Sequence, residues 1–236
     1  MTDVVIEAQN LTKIFPGHVM AVNNLDLSVN RGVVYGLIGR NGAGKTTTLR
    51  MLMGLLQSNS GTAHILGANF WSAPTEVRSR VAYVSQSQQL HKWMTLEELC
   101  HYASHFYEKW EQDNAQKLAG RFELPWHRQI GVMSVGEQRK AAILLAFAAR
   151  PEVLILDEPA AGLDPIARRQ LVNEIVDIVS SADDCTVLFS THIISDLERV
   201  AEYVGIMDCG RLIIEARIEE LQTTIKRVQV IFDGAS

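Results

Sequence analysis

The chain has 236 residues, 47% apolar and 21% charged, with a formal net charge of −5. That suits one large domain, or one domain with an inserted subdomain, and gives enough apolar material for a core. The acidic balance argues against a nucleic-acid binder, which would carry a basic excess. The longest apolar run, Ala141 to Ala149, falls far short of the roughly 20 residues of a membrane span.

The opening Met1-Thr2-Asp3-Val4 shows no basic segment ahead of an apolar one, so no secretory signal is expected. Val4 to Ala8 reads as a strand, and Leu25 to Val29 alternates apolar and polar as a half-exposed strand does. Asn30-Arg31-Gly32 turns the chain, and Val33 to Ile38 is an apolar strand running into a glycine-rich loop. Thr46 to Leu56 is expected to be a helix with Leu49, Leu52, Met53 and Leu56 on one face. Thr62 to Leu66 and Val81 to Val84 are short strands. From 87 to 150 helical patterns dominate, including Leu96 to Phe106 and Gln138 to Ala149, which predicts a helical subdomain inserted into an α/β core. Strands resume at Val153 to Asp157, Thr186 to Phe189 and Val204 to Met207, with a helix from Pro165 to about Ser180. Arg211 to Glu215 and Arg227 to Phe232 read as late strands. Asp233 to Ser236 is either a natural end or a cut. Cys100, Cys185 and Cys209 lie far apart, so free buried thiols in a reducing compartment are expected.

Gly39-Arg40-Asn41-Gly42-Ala43-Gly44-Lys45-Thr46 fits G-x-x-x-x-G-K-[ST]. Glycines let backbone N–H groups turn toward an anion, and the following helix offers its N-terminus to negative charge. Lys45 would meet the outer phosphates, and the Thr46 hydroxyl would bind Mg²⁺. Such a site needs a carboxylate at a nearby strand end, and Asp157 supplies one, through water in this reading. Glu158 follows directly and is placed to accept a proton from water attacking the γ-phosphate of ATP.

These residues resemble the nucleotide-binding ATPase subunits of ABC transporters, and the resemblance runs from Ala8 to about Leu221. Gly39 to Thr46, continued by Thr47-Thr48, looks like Walker A, and Val153 to Asp157 like Walker B with Glu158 in the catalytic base's place. Met133-Ser134-Val135-Gly136-Glu137 looks like the signature usually written LSGGQ. Ala161-Gly162-Leu163-Asp164 matches the D-loop, His192 in Ser190-Thr191-His192 the switch histidine, and Gln86 the Q-loop glutamine. Phe15 lies where the family keeps an aromatic that stacks on adenine. Taken singly, each has an ordinary reading: Gln86 as a surface residue, His192 as a helix cap, Phe15 as core. Ser134 reads as a helix N-cap as well as an anion contact. Their joint occurrence in order carries the resemblance. Three positions depart from the family pattern. Val135 stands for a usual glycine, Phe15 for tyrosine, and Glu137 for glutamine, which puts a negative charge near the phosphate surface if it points inward.

The resemblance implies a P-loop NTPase (RecA-like) α/β core with an N-terminal antiparallel β element. The ATPase domain would span 1–221, with core at 1–86 and 151–221, helical insert at 87–150, and 222–236 as a strand or the start of an extension. Arg40, Asn41, Ala43, Thr47, Ser134, Gly136, Asp164 and Phe15 would join the nucleotide contacts, and Gln86 would touch the metal. Gln86 and His192 would sense the γ-phosphate. The resemblance further implies ATP and Mg²⁺ as ligands and two composite sites in a head-to-tail dimer, a homodimer more readily than a heterodimer. A separate transmembrane permease would hold the chain at the cytoplasmic membrane face, in an exporter-type system, with no nucleic acid involved. Leu90-His91-Lys92-Trp93-Met94 either lines the permease groove or is an ordinary loop. A soluble ABC-type ATPase acting on a nucleic-acid or protein complex is the alternative. A regulatory subunit that hydrolyses poorly is a third reading, suggested by Glu137.

Overall fold

The computed structural model describes residues 3–87, 89–181, 185–198 and 201–224. In chain order the elements are β1 (Val4–Phe15), β2 (Val19–Asn30), β3 (Val34–Gly39), α1 (Lys45–Leu52), β4 (Ser60–Ile65), α2 (Thr75–Arg78) and β5 (Val81–Val84). There follow α3 (Leu96–Ser104), α4 (Gln112–Arg121), α5 (Val135–Ala148), β6 (Val153–Asp157), α6 (Pro165–Ser181), β7 (Thr186–Thr191), β8 (Tyr203–Asp208), β9 (Arg211–Arg217) and α7 (Ile218–Thr224).

Two sheets form. A three-stranded antiparallel sheet has the order β2-β1-β4, and a six-stranded sheet has the order β5-β6-β7-β3-β8-β9. In the larger sheet β5 to β8 pair in parallel, and β9 closes one edge antiparallel to β8. Period-two alternation explains how this sheet serves two cores at once. Tyr35 and Leu37 of β3, with Val153 and Ile155 of β6, face the antiparallel sheet and α1. Val34 and Ile38, with Leu154 and Leu156, face the helices α3 to α6 on the other side. Both faces are covered, so β3, β6 and β7 are buried at every position, and their apolar stretches, Val153 to Leu156 and Val187 to Phe189 among them, run without alternation. Each fully buried Leu or Ile there contributes about 1.5–3 kcal/mol.

Several elements differ in extent from the sequence expectation. β1 runs on to Phe15 rather than stopping at Ala8, because bulges carry it through Gln9, Asn10, Thr12 and Lys13, whose polarity hides the strand. α1 stops at Leu52 instead of Leu56. Gly54 takes φ +63, and a Cβ there would come within 2.5 Å of the Phe70 carbonyl oxygen, so the chain must leave the helix. Leu49 and Leu52 are buried as expected, while Met53 and Leu56 pack only at the core's rim. α5 begins at Val135, a turn before Gln138. α2, α4 and α7 were not anticipated; α4 buries only Ala115, Leu118 and Ala119. Among the described residues, 89–150 holds α3, α4 and α5, a 3-10 turn at Ile130–Val132 and one isolated bridge, Thr95 to Gln129, but no strand. The late strand read at Arg227 to Phe232 lies outside the described residues. Cys100 and Cys185 are buried free thiols, both pushed up to about 12 by burial, but Cys209 is exposed in the turn between β8 and β9.

Candidate nucleotide site

Parallel pairing sets the carboxyl ends of β3, β6 and β7 side by side: Asp157 lies opposite Ser190, and Ser190 opposite Leu37. Open parallel sheets bind ligands outside these strand ends. Gly39 ends β3 and starts the loop that enters α1. Gly44 caps that helix at φ +104, and a Cβ there would lie 2.4 Å from the Ala21 carbonyl oxygen, so no other residue fits. Arg40, Asn41 and Gly42 face solvent, Ala43 is buried, and Thr47 is half-buried.

Lys45 is buried and folds back over its own loop. Its Nζ donates to the Gly39 carbonyl at 2.6 Å and the Arg40 carbonyl at 3.4 Å. It also lies 3.1 Å from Glu158 Oε1. Glu158 Oε1 has no hydrogen bond of good geometry, so the ion pair holds this oxygen without an aligned donor. The other oxygen, Oε2, meets His192 Nδ1 at 2.8 Å. Asp157 is fully buried and is held by three hydroxyls. Ser190 Oγ donates to Oδ1 at 2.7 Å, Thr46 Oγ1 to the same oxygen at 3.0 Å, and Tyr83 to Oδ2 at 3.4 Å. Burial, reinforced by Asp157, pushes the Tyr83 phenol well above its usual range. No group of three or more His, Cys, Asp or Glu suited to a metal occurs among the described residues. The Thr46 hydroxyl and Asp157 carboxylate do fit a hard divalent cation, provided that phosphate oxygens and water complete the shell.

The structure thus brings Lys45, Thr46, Asp157, Glu158 and His192 together. It does not bring the signature turn to them. Ser134 caps α5, accepting from the Glu137 N–H at 3.2 Å, and no hydrogen bond or ion pair among the described residues joins it to the loop. Ser134 is exposed and Gly136 half-exposed, with open space around the turn except for Leu163. Glu137 does not point into that space. Its carboxylate turns back to accept the Ser134 N–H at 2.7 Å, closing a capping box, with Arg128 at 3.6 Å. The Ser134 N–H, then its hydroxyl, hold this carboxyl below the usual range.

Asp164 caps α6, its Oδ1 accepting from the Ile166 and Ala167 N–H groups at 3.0 Å each, with the Ala167 bond leading in lowering its pKa. Phe15 sits at the end of the β1–β2 hairpin, partly exposed, with Lys13 Nζ 5.5 Å above its ring. Gln86 is exposed, and its carbonyl accepts from Arg139 at 2.7 Å; none of the described contacts ties its side chain to Thr46 or Asp157. In the sequence Arg139 stands only as a residue following the Ser134 cap, with no role attached. From the first turns of α5 it also reaches the carbonyls of Ser85 at 3.2 Å and Ala161 at 3.5 Å, so one guanidinium ties the signature helix to two other motif segments. Ser190 was noticed only as a neighbour of His192.

Known proteins resemble this chain in sequence and fold. The family described as ABC transporter matches residues 22–161. The bacitracin transport ATP-binding protein BcrA of Bacillus licheniformis is 32% identical over 92% of this chain and 71% of its own. The daunorubicin/doxorubicin resistance ATP-binding protein DrrA of Streptomyces peucetius is 35% identical over 93% of this chain and 67% of its own. A solved ATP-binding subunit of an ABC transporter superposes with a TM-score of 0.81 at 28% identity, covering 93% of this chain and 92% of that one. The chain belongs to the ABC transporter family, as the ATP-binding and ATP-hydrolysing subunit that powers a separate membrane-spanning partner.

Proposed function

We propose that the subunit works in pairs, each ATP lying between the Lys45–Glu158 half of one chain and the Ser134–Gly136 turn of another. The observation that carries this reading is the separation of the two halves: within one chain the capped turn faces outward and makes no bond to the loop. A serine-capped helix N-terminus with an open glycine beside it is an anion site in search of a ligand. Because this chain supplies both halves, two copies suffice, and a homodimer is the simpler assembly.

Within each site Gly39, Arg40, Asn41, Gly42, Ala43, Gly44 and Thr47 wrap the phosphates, Lys45 leaves its carbonyls for them, and Phe15 offers its open face to the base. Thr46 and Asp157 would hold Mg²⁺, with Gln86 joining them, and the ion would supply charge neutralisation on the transferred phosphoryl group when bound. Glu158 takes the proton from the attacking water, and His192, already on its Oε2, steadies it. Asp164 and Gln86 relay nucleotide state to neighbouring segments, Gln86 through Arg139.

No described helix is long and apolar enough to cross a membrane, which fits a chain held at the cytoplasmic face by a permease. Trp93 is 67% exposed, and an aromatic run from Trp93 through His91 and Tyr102 to Phe106 faces outward, while Leu90 and Met94 pack inward. The outward rings are the docking surface in this reading, and the Leu90 to Met94 stretch serves it only in part. The bacitracin and drug-resistance relatives support an exporter.

Sedimentation of the Glu158→Gln chain with ATP tests the pairing. A shift from monomer to dimer is expected, abolished by adding Ser134→Arg. A monomer at saturating ATP, or a dimer indifferent to Ser134→Arg, sinks the composite site.

A further inference from the structure

Ser190 is the penultimate residue of β7 and is fully buried. Its hydroxyl donates to Asp157 Oδ1 at 2.7 Å and accepts from the Glu158 N–H at 3.0 Å. That N–H also reaches the Ser190 carbonyl at 3.1 Å. The pairing of β6 with β7 sets Ser190 directly opposite Asp157, so this contact is built into the ladder.

Both acids need such a partner. Glu158 sits at φ 48, in the left-handed region that a side chain with a Cβ seldom enters. Asp157 is fully buried, and its other holds are the Thr46 hydroxyl at 3.0 Å and the longer Tyr83 contact at 3.4 Å. On the proposed function the Thr46 hydroxyl turns to the cation, and the firm bond left on Oδ1 is then Ser190.

We infer that Ser190 is a positioning residue for hydrolysis. Its hydroxyl orients the Asp157 carboxylate toward the cation and clamps the backbone turn that aims Glu158 at the attacking water. A hydroxyl is suited to this because it donates one bond while accepting another. Alanine removes one atom, opens little space, and takes one of two bonds from Asp157 Oδ1 and one of two from the Glu158 N–H, which keeps the Ser190 carbonyl. The inference rests on the roles proposed for Asp157 and Glu158.

The test uses the full chain, three variants of Ser190 and Glu158→Gln. For Ser190→Ala, kcat is expected to fall about 10- to 100-fold with KM for ATP nearly unchanged, and Mn²⁺ affinity of the ADP-loaded protein, read by electron paramagnetic resonance, to fall about tenfold. Ser190→Thr, which restores the hydroxyl, is expected to recover most of both; Ser190→Cys, a weak donor, stands in should alanine prevent folding. A lower unfolding midpoint with turnover and Mn²⁺ affinity at parent values makes Ser190 merely structural and overturns the inference. Glu158→Gln runs alongside. If it is inactive while Ser190→Ala is unimpaired, this inference alone fails. If Glu158→Gln turns over at the parent rate, the reading of the site beneath it fails.

Discussion

Two glutamates flank the same buried strand. Glu152 stands just before β6 and Glu158 just after it. Glu152 is saturated with cations: Arg80 forks onto both oxygens at 2.8 and 2.7 Å, and Arg31 and Lys109 each approach to 3.3 Å. Arg80, first among these, holds its carboxyl down at about 2. Glu158 is more deeply buried yet has one lysine, one histidine and an oxygen without a hydrogen bond. A carboxylate with every lone pair occupied ties segments together, here the β1–β2 sheet's exit, the entry to β5 and the helical region. One left under-occupied beside Lys45 and His192 is, on the proposed function, kept available for chemistry. The count of partners does not tell the two apart by itself, since Glu174 Oε2 is also buried without a hydrogen bond; partner count together with position beside the phosphate loop does.

The sharpest way to break this contrast is to remove the charge at each place. Glu158→Gln is expected to cut ATP turnover by about 10²- to 10⁴-fold while nucleotide binding persists. Phosphate release and fluorescent-nucleotide titration read the two quantities, and equal rates in variant and parent would remove Glu158 as the base. Glu152→Gln is expected to do the reverse, costing about 1–2 kcal/mol of unfolding free energy, an amount kept low because its partners are partly exposed, with turnover per folded molecule unchanged. Its carboxyl is depressed in the folded state from 4.5 to about 2, so its contribution is complete above pH 4.5 and is lost as pH falls from there toward 2. Urea unfolding at several pH values should show the gap between parent and Glu152→Gln closing across that window; a gap constant with pH would mean the charge is not what matters. The smallest effect is expected at Glu137→Gln, since glutamine also closes a capping box: less than about 1 kcal/mol in stability and less than threefold in turnover. A turnover gain beyond tenfold would place this carboxylate against phosphate after all.

What could be read beforehand followed from local constraint. Gly44 has no alternative at its φ, and β3 and the Val153 to Leu156 stretch of β6 are apolar because both faces are covered, so both were legible. α4 was not, since three small or apolar residues amid polar ones leave little periodicity. The length of β1 was hidden by its bulges. Ser190, Arg139 and Glu152 act through partners 22 to 121 residues away, which no local pattern announces. Glu137 is a different case. Ser134 followed three residues later by a glutamate is the capping-box pattern, and reading it would have turned that side chain away from phosphate at once.

The left-handed backbone at Glu158 carries a consequence for how such chains age. A residue with a Cβ held there forgoes about 1 kcal/mol that glycine would recover. Replacement by glycine therefore relieves backbone strain even as, on the role proposed for Glu158, it removes the base and leaves the buried Lys45 without its ion-pair partner. Copies of this subunit released from selection for hydrolysis should admit glycine here more readily than other residues, so an inactive relative would betray itself by a glycine after β6 while its phosphate loop still looked intact.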